Sequence, residues 1–136
     1  VSAGYSGTPL PRKLGIREGA SFALVDAPEG AVEHLGGLPE GAHAVMDAAE
    51  ADVVLAFVTT REALERRLDA LARAIHPDRV LWIAWPKRAS KVPTDVTEDV
   101  VRETALPLGL VDTKVAAFDE TWSGLQLVWR RERRGA

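Results

Sequence analysis

Two apolar runs flanking one helical pattern decide the fold: Asp52-Val53-Val54-Leu55-Ala56-Phe57-Val58, then Thr59-Thr60-Arg61-Glu62, and finally Arg79-Val80-Leu81-Trp82-Ile83-Ala84-Trp85. Each flanking run is short and unbroken, as a strand buried on both faces requires. Between them Leu64, Leu68, Leu71, Ala72 and Ile75 recur at helical spacing, with Glu65, Arg66, Arg67 and Asp69 opposite. That pattern predicts an amphipathic helix, opened at Thr59 and Glu62 with capping-box spacing and ended by His76-Pro77-Asp78. A strand–helix–strand unit with a crossover of this length predicts parallel, right-handed pairing.

Working outward, residues 21–25 (Ser-Phe-Ala-Leu-Val) form another buried-strand run, stopped by Asp26 and Pro28. A short helix fits between Pro28 and Pro39, and residues 42–46 make a second strand ended by Asp47. On the other side, a polar loop over 86–95 leads to a helix over 97–106, where Val96, Val100, Val101 and Ala105 share a face. Strands at 110–118 and 125–131 follow, and the link 119–124 is too short for anything but an antiparallel hairpin. The expected fold is α/β: a three-layer, Rossmann-like, mostly parallel sheet of about six strands with an antiparallel C-terminal hairpin strand. The expected organisation is an N-terminal arm (1–16), rich in Gly, Ser, Thr and Pro with one short turn near Arg12, a single domain (17–131) and a basic tail (132–136).

The chain has 136 residues, enough for one core and too few for two. Hydrophobic residues at 46% and charged residues at 27% exclude wholesale disorder and collagen-like classes. The formal charge is -3, and residues 130–134, four arginines and one glutamate, carry +3 of it, leaving about -6 elsewhere. An acidic body argues against nucleic acid, which needs a basic face, and the arginine tail reads as a solvated terminus. Cysteine is absent, which removes disulfides, thiolate metal sites and thiol nucleophiles. No apolar run reaches the roughly 18 residues of a membrane span, and the first fifteen residues do not read as a secretory signal. The expected compartment is the cytoplasm, with no membrane partner.

Ligands of open α/β sheets sit at the carboxyl ends of the strands, where loops diverge and helix N-termini point outward. The loops expected on that rim are 26–30, 47–49, 59–60, 86–95 and 119–124. Asp26 opens the first, which holds one glycine and a proline where a nucleotide-type cofactor needs several glycines. Asp47, ending the second strand, suits ribose hydroxyls or is a plain turn residue. Lys87, Arg88 and Lys91 beside Trp85, Ser90, Thr94 and Asp95 suit a carboxylate or phosphate, or else a solubilising loop with a helix cap. Trp122 and Ser123 at an expected hairpin tip, with Asp119 and Glu120 nearby, suggest an exposed aromatic that a ligand or loop would cover. Tyr5 and Ser6 in Gly4-Tyr5-Ser6-Gly7-Thr8-Pro9 form either a lid for the crevice or part of a trailing tail. No nucleophile elbow, phosphate loop or paired histidines occur, so no metal site and no assigned catalytic residue are expected.

Several segments resemble an uncharacterised bacterial family known only as a domain of unknown function. They are Gly4-Tyr5-Ser6-Gly7-Thr8-Pro9-Leu10, Trp85-Pro86-Lys87, Thr94-Asp95, residues 105–112 and Trp122-Ser123-Gly124-Leu125. The resemblance runs nearly end to end and implies no particular activity. More distantly, Leu14-Gly15-Ile16-Arg17-Glu18-Gly19 before the first strand, together with the closing hairpin, resembles the class I S-adenosylmethionine methyltransferase architecture. The departures are the missing glycine-rich loop at 26–30 and the absence of one strand–helix unit. The leading expectation is a methyltransferase-like domain lacking the cofactor loop, which binds an anionic small molecule or a protein and carries no cofactor. The alternatives are a divergent S-adenosylmethionine-dependent methyltransferase or other small-molecule transferase, and a homodimer joined at the edge strand and exposed tryptophans.

Overall fold

Alternation along the strands builds two separate apolar faces. The computed structural model describes residues 8–135, and its six strands are β1 (Ser21–Val25), β2 (His43–Ala44), β3 (Val53–Phe57), β4 (Val80–Pro86), β5 (Leu110–Ala117) and β6 (Trp122–Trp129). They form one sheet in the order β2-β1-β3-β4-β6-β5. The first four are mutually parallel, and β6 runs antiparallel to both β4 and β5. The expected mostly parallel α/β sheet with an antiparallel C-terminal hairpin is the observed fold.

Val54, Ala56, Leu81, Ile83, Leu125 and Leu127 point to one face and meet α3 (Arg61–Ile75) and α4 (Glu98–Ala105). The stripe Leu64, Leu68, Leu71, Ala72 and Ile75 is wholly buried there, each leucine contributing about 2 kcal/mol of burial. Val53, Leu55, Phe57, Trp82 and Ala84 point to the other face, under α1 (Leu10–Leu14) and α2 (Ala31–Leu35).

Several sequence expectations shift. The described end of the expected arm is a docked helix: Leu14 and Ile16 are buried, and the Trp82 indole N–H donates to the Leu14 carbonyl at 2.9 Å. The cap of α3 is Thr60, whose Oγ1 accepts from the Ala63 N–H, one residue later than the capping-box spacing suggested. Strand β2 is two residues long, and three residues later the chain enters a 3-10 turn, Ala48–Glu50. Trp122, Ser123 and Gly124, expected at a hairpin tip, are the first residues of β6 and pair with Pro86, Trp85 and Ala84. The start of the basic tail is tied down as well: His76 Nε2 lies 2.8 Å from the Arg133 carbonyl, and Arg134 Nε donates to the Trp129 carbonyl. Gly109 is demanded by geometry, because φ is +103° and a Cβ there would lie 3.1 Å from the Trp129 ring.

Candidate functional site

Strand β4 delivers Trp85, Pro86 and Lys87 to the carboxyl rim, and antiparallel β6 brings Ser123 opposite Trp85 and Trp122 opposite Pro86. The Lys87 N–H donates to the Thr121 carbonyl at 2.8 Å, so the 86–95 loop and the hairpin start from one point. The loop then makes a 3-10 turn, Arg88–Ser90, closed by the Ser90 hydroxyl donating to the Lys87 carbonyl at 2.7 Å. Lys91 follows at φ +62°. A non-glycine residue in that left-handed region is uncommon and often marks a functional or strained turn.

Past Lys91 the chain has no regular secondary structure and is held to the start of α3. The Thr94 hydroxyl donates to the Thr59 carbonyl at 2.6 Å, and Asp95 Oδ1 accepts the Arg61 N–H at 2.7 Å. The first N–H groups of a helix lack partners within it, and Asp95 supplies one from 34 residues away. The Thr97 hydroxyl caps α4 by accepting the Val100 N–H at 3.2 Å.

The space between this strap, the β4 end and α4 is a cleft of about 460 Å³. Trp85 forms its floor, Val92 and Pro93 an apolar wall, and Thr94, Thr97 and Ser123 contribute hydroxyls. Lys87, Arg88 and Lys91 line the same cleft, and among the described residues none of the three has an ion-pair partner. Glu98 is the one acid in the lining, and its carboxylate is held 2.6 Å from Arg102 Nη2. The hydrogen bonds that Arg102 donates to Glu98 first, then to Asp112, raise its pKa above the ordinary value. The unpaired charge facing the cleft is therefore positive.

Of the other sequence candidates, Asp95 positions the strap and Ser123 lines the cleft. Trp122 does not: its ring turns to the opposite face and packs edge-on against Phe57 with centroids 5.1 Å apart. It is half-buried, so it offers no bare aromatic tip; Trp82 is fully buried, and Trp85 is buried but for the edge that lines the cleft. Asp119 is engaged locally, with Oδ1 accepting the N–H groups of Thr121 and Trp122 at 2.8 and 2.7 Å. Asp26, at φ +53°, ends β1 and pairs with Arg67 of α3 at 2.7 Å. Asp47 caps the 48–50 turn through the Ala49 N–H. The Ala49 carbonyl accepts from Arg79, which precedes β4, so this turn runs back toward the amino-terminal edge and is not on the expected rim. Tyr5 and Ser6 lie outside the described residues. Among the described residues no cluster of three or more His, Asp or Glu is placed to hold a metal, and no helix is long and apolar enough to cross a membrane.

Sequence reading singled out the cations of the strap but passed over Val92, Pro93 and Glu98. The signal available was Val92, an apolar residue between Lys91 and Pro93 in an otherwise polar loop; its side chain remains 39% exposed.

No protein-family model and no curated protein matches the chain. Solved structures do. A SAM-dependent methyltransferase from Aquifex aeolicus superimposes with a TM-score of 0.57 at 16% identity over 85% of each chain. Magnesium protoporphyrin IX methyltransferase from Synechocystis with bound SAM gives 0.54 at 13% identity, over 89% of this chain and 74% of that one. Aeropyrum pernix fibrillarin with natively bound S-adenosyl-L-methionine gives 0.51 at 18% identity, over 83% and 68%.

These neighbours raise the question of whether the rim here fits that cofactor. A glycine-rich cradle is absent after β1: Gly30 is the sole glycine between Asp26 and Ala31, and nothing lies within 4 Å of where its Cβ would be. Its φ of +81° serves the backbone turn into α2. The two carboxylates expected there, Asp26 and Asp47, are occupied by Arg67 and the Ala49 N–H. The described residues do not fit the group as a glycine-rich loop would hold it. In strand order and layering, the chain has the Rossmann-like α/β fold of the SAM-dependent methyltransferases.

Proposed function

We propose that this is a small-molecule-binding domain built on the methyltransferase fold, with an anionic ligand held in the cleft at the carboxyl end of β4. The observation that carries this reading is the gathering of Lys87, Arg88 and Lys91, none of them ion-paired among the described residues, on a cleft floored by Trp85. Its size falls within the roughly 300–1,000 Å³ of small-molecule sites. The Thr97 and Ser123 side chains add hydroxyl groups that suit an oxyanion, while the Thr94 hydroxyl is committed to the Thr59 carbonyl. The test is calorimetric titration with inorganic phosphate and with simple organic phosphates and carboxylates. Binding that Lys87→Gln abolishes supports the reading, and silence from every anion overturns it.

A second reading, an S-adenosylmethionine-dependent methyltransferase, is favoured by a separate observation. The antiparallel last strand between β4 and β5 accompanies a likeness to solved structures that contain the cofactor. The chain would then have to hold it without a glycine-rich loop and with Asp26 released from Arg67. Titration with S-adenosylmethionine separates the two: a micromolar dissociation constant favours this second reading, and no heat favours the first.

A further inference from the structure

The composition of the cleft narrows the ligand further than its charge does. A bare phosphate or sulfate would occupy a small part of about 460 Å³ and leave Val92 and Pro93 wet. A neutral apolar molecule would make no use of the three cations that line the cleft. Both problems vanish for a ligand with an apolar body against Val92, Pro93 and the Trp85 edge and a charged head among Lys87, Arg88 and Lys91.

The number of cations bears on the head group. Glu98 shares Arg102 with Asp99 and Asp112, so its charge is only partly offset, but three cations against this one acid still leave the cleft lining positive. A carboxylate carries one negative charge, whereas a phosphate monoester carries about -1.5 to -2 near pH 7 and offers three strong acceptor oxygens. Three donors of this type match the second better.

We infer that the cleft bounded by the strap of residues 87–97 takes a phosphate monoester carried on an apolar body. This rests on the anion-binding reading of the same cleft and specifies what that reading leaves open. Trp85 and its cross-strand partner Ser123 fix the floor because both sit in the sheet, and the Thr94 and Asp95 bonds to the α3 start fix the outer wall. The site is preformed on those terms, with the cations free to adjust to the ligand.

The test is calorimetry on the full chain with phenyl phosphate, inorganic phosphate, benzoate and benzyl alcohol. Phenyl phosphate is expected to bind at least tenfold more tightly than either phosphate or benzoate, with benzyl alcohol silent. Lys87→Gln combined with Lys91→Asn should weaken phenyl phosphate at least tenfold; asparagine is chosen because it tolerates the left-handed backbone at position 91. Val92→Asn should reduce the advantage of phenyl phosphate over phosphate while leaving phosphate unchanged. Equal affinities for phenyl phosphate and phosphate would overturn the apolar body, and equal affinities for phenyl phosphate and benzoate would overturn the doubly charged head. Either result leaves anion binding standing. Silence from all three anions takes down the underlying reading together with this one.

Discussion

Removing the Asp95 carboxylate should loosen the outer wall of the cleft and measurably destabilise the fold. Asp95 Oδ1 sits 2.7 Å from the Arg61 N–H, at the first residue of a fifteen-residue helix whose other capping bond comes from Thr60. A hydrogen bond to a charged group contributes about 1.5–3 kcal/mol when shielded, and a carboxylate at a helix N-terminus about 0.3–1 kcal/mol. Asp95 is exposed, so solvent screening places the sum at the low end. Asp95→Ala should therefore cost about 1–2 kcal/mol. For a chain of this size that is a fall in Tm of roughly 4–8 °C. Asp95→Asn keeps an acceptor and loses only the charge, so its cost should be about 0.5 kcal/mol. Urea unfolding with an unchanged slope would show that the native state itself, and not its unfolded reference, has lost the interaction. The cost of Asp95→Asn, which is the charge alone, should also shrink in 1 M salt. An Asp95→Ala protein within about 0.3 kcal/mol of wild type would refute the argument, because it would mean that the strap does not rest on α3 in solution.

Trp82→Phe removes the buried indole donor and leaves the Leu14 carbonyl without that partner; the expected loss is about 2 kcal/mol in urea unfolding, with earlier proteolytic cutting near α1. Gly109→Ala combines a φ of +103° with a Cβ 3.1 Å from Trp129 and 3.2 Å from Arg133; it should cost about 2 kcal/mol or more, read as a lower urea midpoint. Arg102 has a raised pKa, so its stabilising effect is fully present below the ordinary guanidinium value and lost only above the raised one. The difference in urea midpoint between wild type and Arg102→Gln should therefore be the same at pH 7 and pH 9, and a difference that shrinks across that interval would contradict the assignment.

How far the sequence reveals this molecule depends on whether the deciding forces are local. The β3–α3–β4 unit was legible because unbroken apolar runs and a 3.6-residue stripe each admit few structures, and the buried leucines of α3 are those the stripe predicts. The start of β6 was not legible: Ser123 and Gly124 carry turn chemistry, yet pairing with β4 on one side and β5 on the other draws them into the sheet. Helix α1 was hidden for a similar reason. Pro9 just before it and Pro11 inside it suggest a turn, and the helix is held by a bond to Trp82, 68 residues away.

The same distinction explains the candidate site. Lys87, Arg88, Lys91 and Thr94 stand in one loop, so their proximity could be read from the chain, and the β4–β6 pairing adds Ser123. The acids were harder to place, because an aspartate at a strand end reads the same whether it meets a ligand or a neighbouring N–H. The structure uses Asp26 for Arg67, Asp47 for Ala49, Asp95 for Arg61 and Asp119 for the hairpin backbone. With Asp95 and Asp119 engaged, the charged groups that line the cleft without ion-pair partners are Lys87, Arg88 and Lys91, and an incoming ligand there meets positive charge. Recognition at this rim is thereby biased toward anions, by the consumption of its acids as much as by the presence of its lysines.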